Sequence, residues 1–151
     1  MSHVADTPVE ILLVDDDPAD IELAREGLRE GRTQAHLSTV EDGVEALAFL
    51  RRQGKYAAVK RPNLVILDLK MPRKSGLEVL AEMKADRKLR RIPVIVLTTS
   101  ESPDDIFQAY DLNASCYITK PADLEEFHRV MKTIRGFSLT VVKLPPHDTP
   151  L

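Results

Sequence analysis

Two short apolar runs, each stopped abruptly by acid, constrain this chain more than any other feature. Ile11-Leu12-Leu13-Val14 runs into Asp15-Asp16-Asp17, and Leu64-Val65-Ile66-Leu67 runs into Asp68. Unbroken apolar runs of this length fit strands buried on both faces, as in a parallel sheet covered by helices on each side. In open α/β sheets, ligands bind beyond the carboxyl ends of the strands. Acids far apart in sequence therefore converge at one end of the sheet, in a pocket suited to a divalent cation, which takes hard oxygen ligands.

Strand and helix signals alternate along the rest of the chain. Asp17-Pro18-Ala19-Asp20 combines an N-cap, a first-turn proline and an acid; it opens a helix to about Glu30, with Gly31 as its stop. A weaker strand spans residues 35–40. Asp42 and Glu45 then have capping-box spacing for a helix to about Gln53. Ser75-Gly76-Leu77-Glu78 opens a helix to about Ala85, ahead of a strand over residues 93–97. Ser102-Pro103-Asp104-Asp105 caps the next helix, a fifth strand covers residues 115–119, and Asp123-Leu124-Glu125-Glu126 starts a helix to about Arg135. Five strands alternating with five helices favour right-handed crossovers and a doubly wound α/β sheet.

Composition narrows the function classes. The 151 residues suffice for one domain with a real core. Charged residues make up 30% of the chain, yet the net charge is only -3, which leaves no basic footprint for nucleic acid. The single cysteine, Cys116, lies in the run Ser115-Cys116-Tyr117-Ile118 and reads as a small core residue, with no intrachain disulfide open to it. No segment approaches the ~18 apolar residues of a membrane span, and the N-terminus lacks a charged start followed by an apolar stretch. The expectation is a cytoplasmic protein with a flexible N-terminus over residues 1–8. The basic run over residues 84–91 reads as a solvated helix end and loop.

The candidate site residues stand in a specific order. Asp15-Asp16 follow the first strand, Asp68 the third and Thr98 the fourth; Tyr117 lies on the fifth, and Lys120 precedes Pro121. With the strings Leu67-Asp68-Leu69-Lys70-Met71-Pro72 and Thr119-Lys120-Pro121, this order resembles the receiver domain of two-component response regulators over residues 9–135. The resemblance implies a flavodoxin-like sheet in the order 2-1-3-4-5, and Asp68 as acceptor of a phosphoryl group from a histidine kinase's phosphohistidine. It implies Mg²⁺ or Mn²⁺ bound directly by Asp16 and Asp68, with Asp15 acting through a metal-bound water and the Lys70 backbone carbonyl completing the protein ligands. Without the ion, carboxylates ~4 Å apart would repel by about 4 kcal/mol at an effective dielectric of 20.

The same resemblance assigns the remaining roles. Lys120 pairs with Asp68 and later with the phosphoryl oxygens. Thr98 and Tyr117 form a switch that remodels the face made by the fourth helix, fifth strand and fifth helix. The Lys120–Pro121 bond is expected to be cis, at a cost of only about 0.5–1 kcal/mol. Kinase docking is expected near the first helix and the loop after the fifth strand, with Asp20, Ile21, Leu23 and Ala24 as candidates.

Residues 136–151 are too few for a DNA-binding or enzymatic output domain, so the expectation is a stand-alone receiver that promotes only its own phosphoryl transfer and dephosphorylation. Phe137, Leu139 and Val141 alternate with Ser138 and Thr140, giving this extension strand character. The ending resembles single-domain response regulators that serve phytochrome histidine kinases, although many of those carry an aromatic where Ser138 stands. It implies a homodimer through the fourth helix, fifth strand, fifth helix and this arm. Two other classes compete. Asp15-Asp16-Asp17 fits the Asp-x-Asp start of haloacid-dehalogenase-like phosphatases, with Asp15 as nucleophile, but that reading leaves Asp68 unexplained. A phosphorylation-silent interaction module would not need the pocket residues.

Overall fold

The path of the chain follows from which strands lost water on both faces. The computed structural model describes residues 9–29 and 35–136. In order these form β1 (Val9–Val14), α1 (Pro18–Arg29), β2 (Ala35–Val40), α2 (Gly43–Leu50), β3 (Leu64–Leu67), α3 (Gly76–Ala85), β4 (Val94–Thr98), α4 (Pro103–Asp111), β5 (Cys116–Thr119) and α5 (Leu124–Gly136). Every strand pair is parallel, and the sheet order is β2-β1-β3-β4-β5. The expected doubly wound α/β sheet is thus observed, with its five strands and five helices. The expected stop at Gly31 and the expected arm beyond Gly136 lie outside the described residues, as does the N-terminal segment 1–8.

The sheet divides the core in two. Ile11 and Leu13 of β1 face α1 and α5, where they join Ala24, Leu28, Phe127 and Met131. Leu12 and Val14 face the opposite layer, with Ala46, Leu47 and Leu50 of α2 and Val79, Leu80 and Met83 of α3. Both faces of the strand are dry, which is why its sequence shows no polar alternation. Each such aliphatic side chain contributes roughly 1.5–3 kcal/mol by leaving water.

The helix starts follow their capping residues. Ser75 Oγ accepts from the Glu78 amide, and the Glu78 carboxylate accepts from the Ser75 amide, completing a capping box. Asp42 Oδ1 accepts from the Glu45 amide at 2.8 Å, but the Glu45 carboxylate turns away to accept from the Tyr56 hydroxyl at 2.6 Å. Helix α2 ends at Leu50 rather than near Gln53. Arg52 and Gly54 adopt φ of 55° and 58°, a left-handed backbone that ends a right-handed helix. The basic run after α3 is also more ordered than a solvated loop, because Leu89, only 1% exposed, pins a single 3₁₀ turn over Leu89–Arg91.

Helices α1 and α5 approach closely at Gly27. A Cβ placed there would lie 2.5 Å from Met131 Cβ and 3.2 Å from the His128 carbonyl oxygen. Gly27→Ala gains up to about 1 kcal/mol of helix propensity, but the collision is with buried atoms and overpacking costs about 1–3 kcal/mol. The expected net result is a lower urea midpoint; an unchanged or higher midpoint would mean that α1 and α5 separate freely.

Candidate functional site

The pairing of β1 with β3 builds the site. Val14 is level with Leu67, so the next residues, Asp15 and Asp68, emerge side by side at the strand ends. Both amides extend the ladder by one bond, Asp15 to the Val40 carbonyl at 3.1 Å and Asp68 to the Val14 carbonyl at 3.0 Å. Asp15 Oδ1 accepts from the Asp17 amide at 2.9 Å, which turns the chain and leaves Asp16 exposed. Asp17 in turn accepts from the Ala19 amide and starts α1, matching its reading as a cap. Asp15 and Asp68 are buried, at 2% and 6% exposure. Oxygens of Asp15, Asp16 and Asp68 lie within 4.8 Å of one another, a donor set suited to a hard cation.

Lys120 enters from β5. Its amide donates to the Thr98 carbonyl at 2.7 Å, which carries the strand pairing one residue further. Its Nζ donates to Asp20 at 2.7 Å and to Asp68 at 3.0 Å, and Asp15 Oδ2 lies 2.9 Å away, so three carboxylates surround the ammonium. The Lys120–Pro121 bond is trans, contrary to the expected cis form, as no cis peptide occurs among the described residues. The lysine needs no cis bond to point inward, because strand pairing and three carboxylates already direct it, and trans is the ordinary preference.

Burial and charge pull in opposite directions here. Burial raises the Asp15 carboxyl above its ordinary value of 3.8, against the lowering effects of Lys120 and the Asp17 amide. Burial alone would lower the Lys120 ammonium, but Asp20, Asp15 and Asp68 outweigh it and hold the group above its ordinary range. The lysine is therefore a fixed cation at any physiological pH.

Thr98 and Tyr117 complete the constellation. Thr98 is fully buried, and its Oγ1 finds no hydrogen-bond partner. A buried unpaired hydroxyl costs about 1–3 kcal/mol and points to an acceptor that arrives later. The Tyr117 hydroxyl donates to the Ser100 carbonyl at 2.9 Å, and Ser100 Oγ donates to Asp105 Oδ2 at 2.5 Å. Tyr117 is thereby tied to the loop before α4. Lys70 is exposed, its amide 3.3 Å from Asp68 Oδ1. It lies with Asp16, Met71 and Asp105 along an open groove of about 670 Å³. Burial pushes the half-buried Cys116 thiol up, which keeps it protonated and poorly reactive.

The first helix departs from expectation in two ways. Ala24 is 1% exposed and packs in the α1–α5 layer, so it offers no docking surface, whereas Ile21 and Leu23 are half-buried. Asp20 is a direct partner of Lys120, a contact that its reading as a first-turn acid and docking candidate missed. No spacing in the sequence signals this contact, because Lys120 stands 100 residues away.

A parallel sheet that brings acids from β1 and β3 against a lysine from β5 defines a receiver-type α/β protein. The response regulator receiver domain matches residues 11–132, and the chain belongs to that family. It is 44% identical over 145 residues to the response regulator Rcp1 of Synechocystis sp., an alignment covering 96% of this chain and 99% of Rcp1. The phosphorylated cyanobacterial phytochrome response regulator RcpA superposes with a TM-score of 0.90 at 48% identity, over 93% of this chain and all of RcpA. The Mn²⁺-bound form of Rcp1 gives 0.89 at 45% identity, over 92% and 100% of the two chains. These likenesses do not favour the phosphatase or silent-module readings. Among the described residues, no helix is long and apolar enough to cross a membrane.

Proposed function

We propose that Asp68 accepts a phosphoryl group from the phosphohistidine of a sensor histidine kinase, in a reaction that requires Mg²⁺ or Mn²⁺. The observation that carries this reading is the convergence on Asp68 of Asp15, Asp16 and Lys120, with the buried, unpaired Thr98 hydroxyl at the end of the neighbouring strand β4. An Asp68 oxygen forms the O–P bond as the N–P bond breaks, and the freed electron pair returns to the imidazole nitrogen, which takes up a proton. Asp16 and Asp68 would hold the cation, with Asp15 behind a bound water and the Lys70 carbonyl as a further ligand. Bound there, it offsets the negative charge that develops on the phosphoryl oxygens. Lys120, 3.0 Å from Asp68, supplies a second positive group for the phosphoryl oxygens. Thr98 turns its hydroxyl to a phosphoryl oxygen, and Tyr117 carries the change to the α4-β5-α5 face.

The likeness to the phytochrome response regulator RcpA supports a phytochrome as the kinase, and the setting of this reading is cytoplasmic. Residues 9–135 form the receiver and residues 136–151 an extension. The chain works as a phosphoacceptor and promotes only its own phosphoryl transfer and hydrolysis, without nucleic-acid or membrane binding. Phe107, Tyr110 and Leu124 are 68%, 49% and 66% exposed on α4 and α5, and this apolar surface supports a homodimer there.

Intact mass after incubation with acetyl phosphate tests the chemistry. One added phosphoryl group is expected with Mg²⁺ and none with a chelator; equal labelling in both would overturn the metal requirement. Sedimentation is expected to show a dimer, and only monomer at tens of micromolar, with or without a phosphoryl mimic, would remove the dimer.

A further inference from the structure

We propose that Asp20 restrains Lys120: the α1 carboxylate occupies the ammonium and slows the capture of small phosphodonors at Asp68. The inference rests on the phosphoacceptor reading above. The Lys120 ammonium donates to Asp20 at 2.7 Å and to Asp68 at 3.0 Å, and Asp15 Oδ2 lies 2.9 Å away as a third ion-pair partner. A phosphoryl oxygen must compete with these three carboxylates for the ammonium.

The three partners are not equivalent. Asp15 and Asp68 belong to the carboxylate set able to share a cation, and Asp20 does not. A cation held by that set would compete with the lysine for Asp15 and Asp68 but not for Asp20. Asp15 and Asp68 also end buried strands, their side chains 3% and 8% exposed, whereas the Asp20 side chain is 21% exposed in the first turn of α1. With Asp20 removed, Lys120 keeps two carboxylates to orient it, so its position survives while its charge and one donor are released. Asp20 is accordingly a positioning residue that acts through Lys120, and its net effect on a phosphoryl anion is repulsive.

The test follows phosphorylation of the full chain by acetyl phosphate and Mg²⁺, by intact mass, in wild type, Asp20→Ala and Asp20→Glu. Asp20→Ala is expected to react about two- to fivefold faster at limiting donor, the size of a partly exposed ion pair. The gain should lie in the apparent KM for acetyl phosphate rather than in the maximal rate, with Asp20→Glu close to wild type. A double-mutant cycle of Asp20→Ala with Lys120→Met, read by urea unfolding in chelator, gives a readout free of phosphoryl chemistry and cancels any loss of α1 stability. A non-zero coupling is expected. Zero coupling would overturn the contact. Coupling with equal or slower phosphorylation in Asp20→Ala would overturn the restraint while wild type still labels. No labelling of wild type, with coupling intact, would sink the phosphoacceptor reading and this inference with it.

Discussion

Asp68→Asn is expected to accept no phosphoryl group from any donor while keeping its fold. The carboxamide has nearly the shape of the carboxylate, and its oxygen still accepts from Lys120, which lies 3.0 Å from Asp68. Its oxygen carries no negative charge and its nitrogen lone pair is delocalised into the carbonyl, so the group is too weak a nucleophile and cannot form an acyl phosphate. The change also removes one of the negative charges facing Asp15, and Asp68 is one of the groups that raise the Asp15 carboxyl. The metal-free urea midpoint should therefore hold or rise. Asp15→Asn keeps the nucleophile but weakens the cation site, so labelling should persist at a lower rate. The measurement is intact mass over time with acetyl phosphate and Mg²⁺. An adduct retained in Asp68→Asn and lost in Asp15→Asn would place the nucleophile on β1 and overturn the assignment.

Lys120→Met should produce the largest loss of stability of any single change in the site. Methionine fills much of the space but leaves Asp15 and Asp68 buried without a cation, and breaking a buried pair on one side costs about 3–5 kcal/mol. The sign of the pH dependence follows from the two shifted groups. Lys120 is held above its ordinary value of 10.5, so its contribution is complete below that pH and is lost only as pH rises through the higher folded value. Asp15 is shifted up from 3.8, so the folded state binds more protons and stability falls as pH rises from about 4 through the folded value. Without Lys120 the Asp15 carboxyl rises further and that window widens. The deficit of the variant should thus be small near pH 4 and grow towards neutrality, and Mg²⁺ should recover part of it. Urea midpoints at several pH values, with and without Mg²⁺, check this. A deficit independent of pH would mean that the lysine contributes packing rather than charge.

Much of this arrangement is legible in sequence because strand ends are. Asp15, Asp68 and Thr98 each close an apolar run, and parallel pairing leaves little choice about which end of the sheet they share. Lys120 is legible through its position just beyond β5. What escaped depends on side-chain reach or on one backbone angle. Asp20 meets Lys120 across 100 residues of sequence, and no local pattern marks such a pair. The early end of α2 depends on Arg52 adopting φ of 55°, a conformation the residue type does not advertise. Ala24 looks like a surface position until Gly27 is seen to bring α5 against α1. The trans bond before Pro121 is a choice between two nearly degenerate isomers, which a dipeptide alone cannot settle.

The tie between Tyr117 and Ser100 has an optical consequence. The chain contains no tryptophan and three tyrosines, so its ultraviolet emission comes from phenol rings. Tyr56 donates its hydroxyl to the Glu45 carboxylate at 2.6 Å, a bond through which proton transfer is expected to dim the excited ring. The remaining light comes from Tyr110, exposed on α4, and Tyr117, bonded to the loop before it. Two of the three phenols thus lie on or beside α4, at the surface proposed to change on phosphorylation, and tyrosine emission is expected to report its state without an attached label.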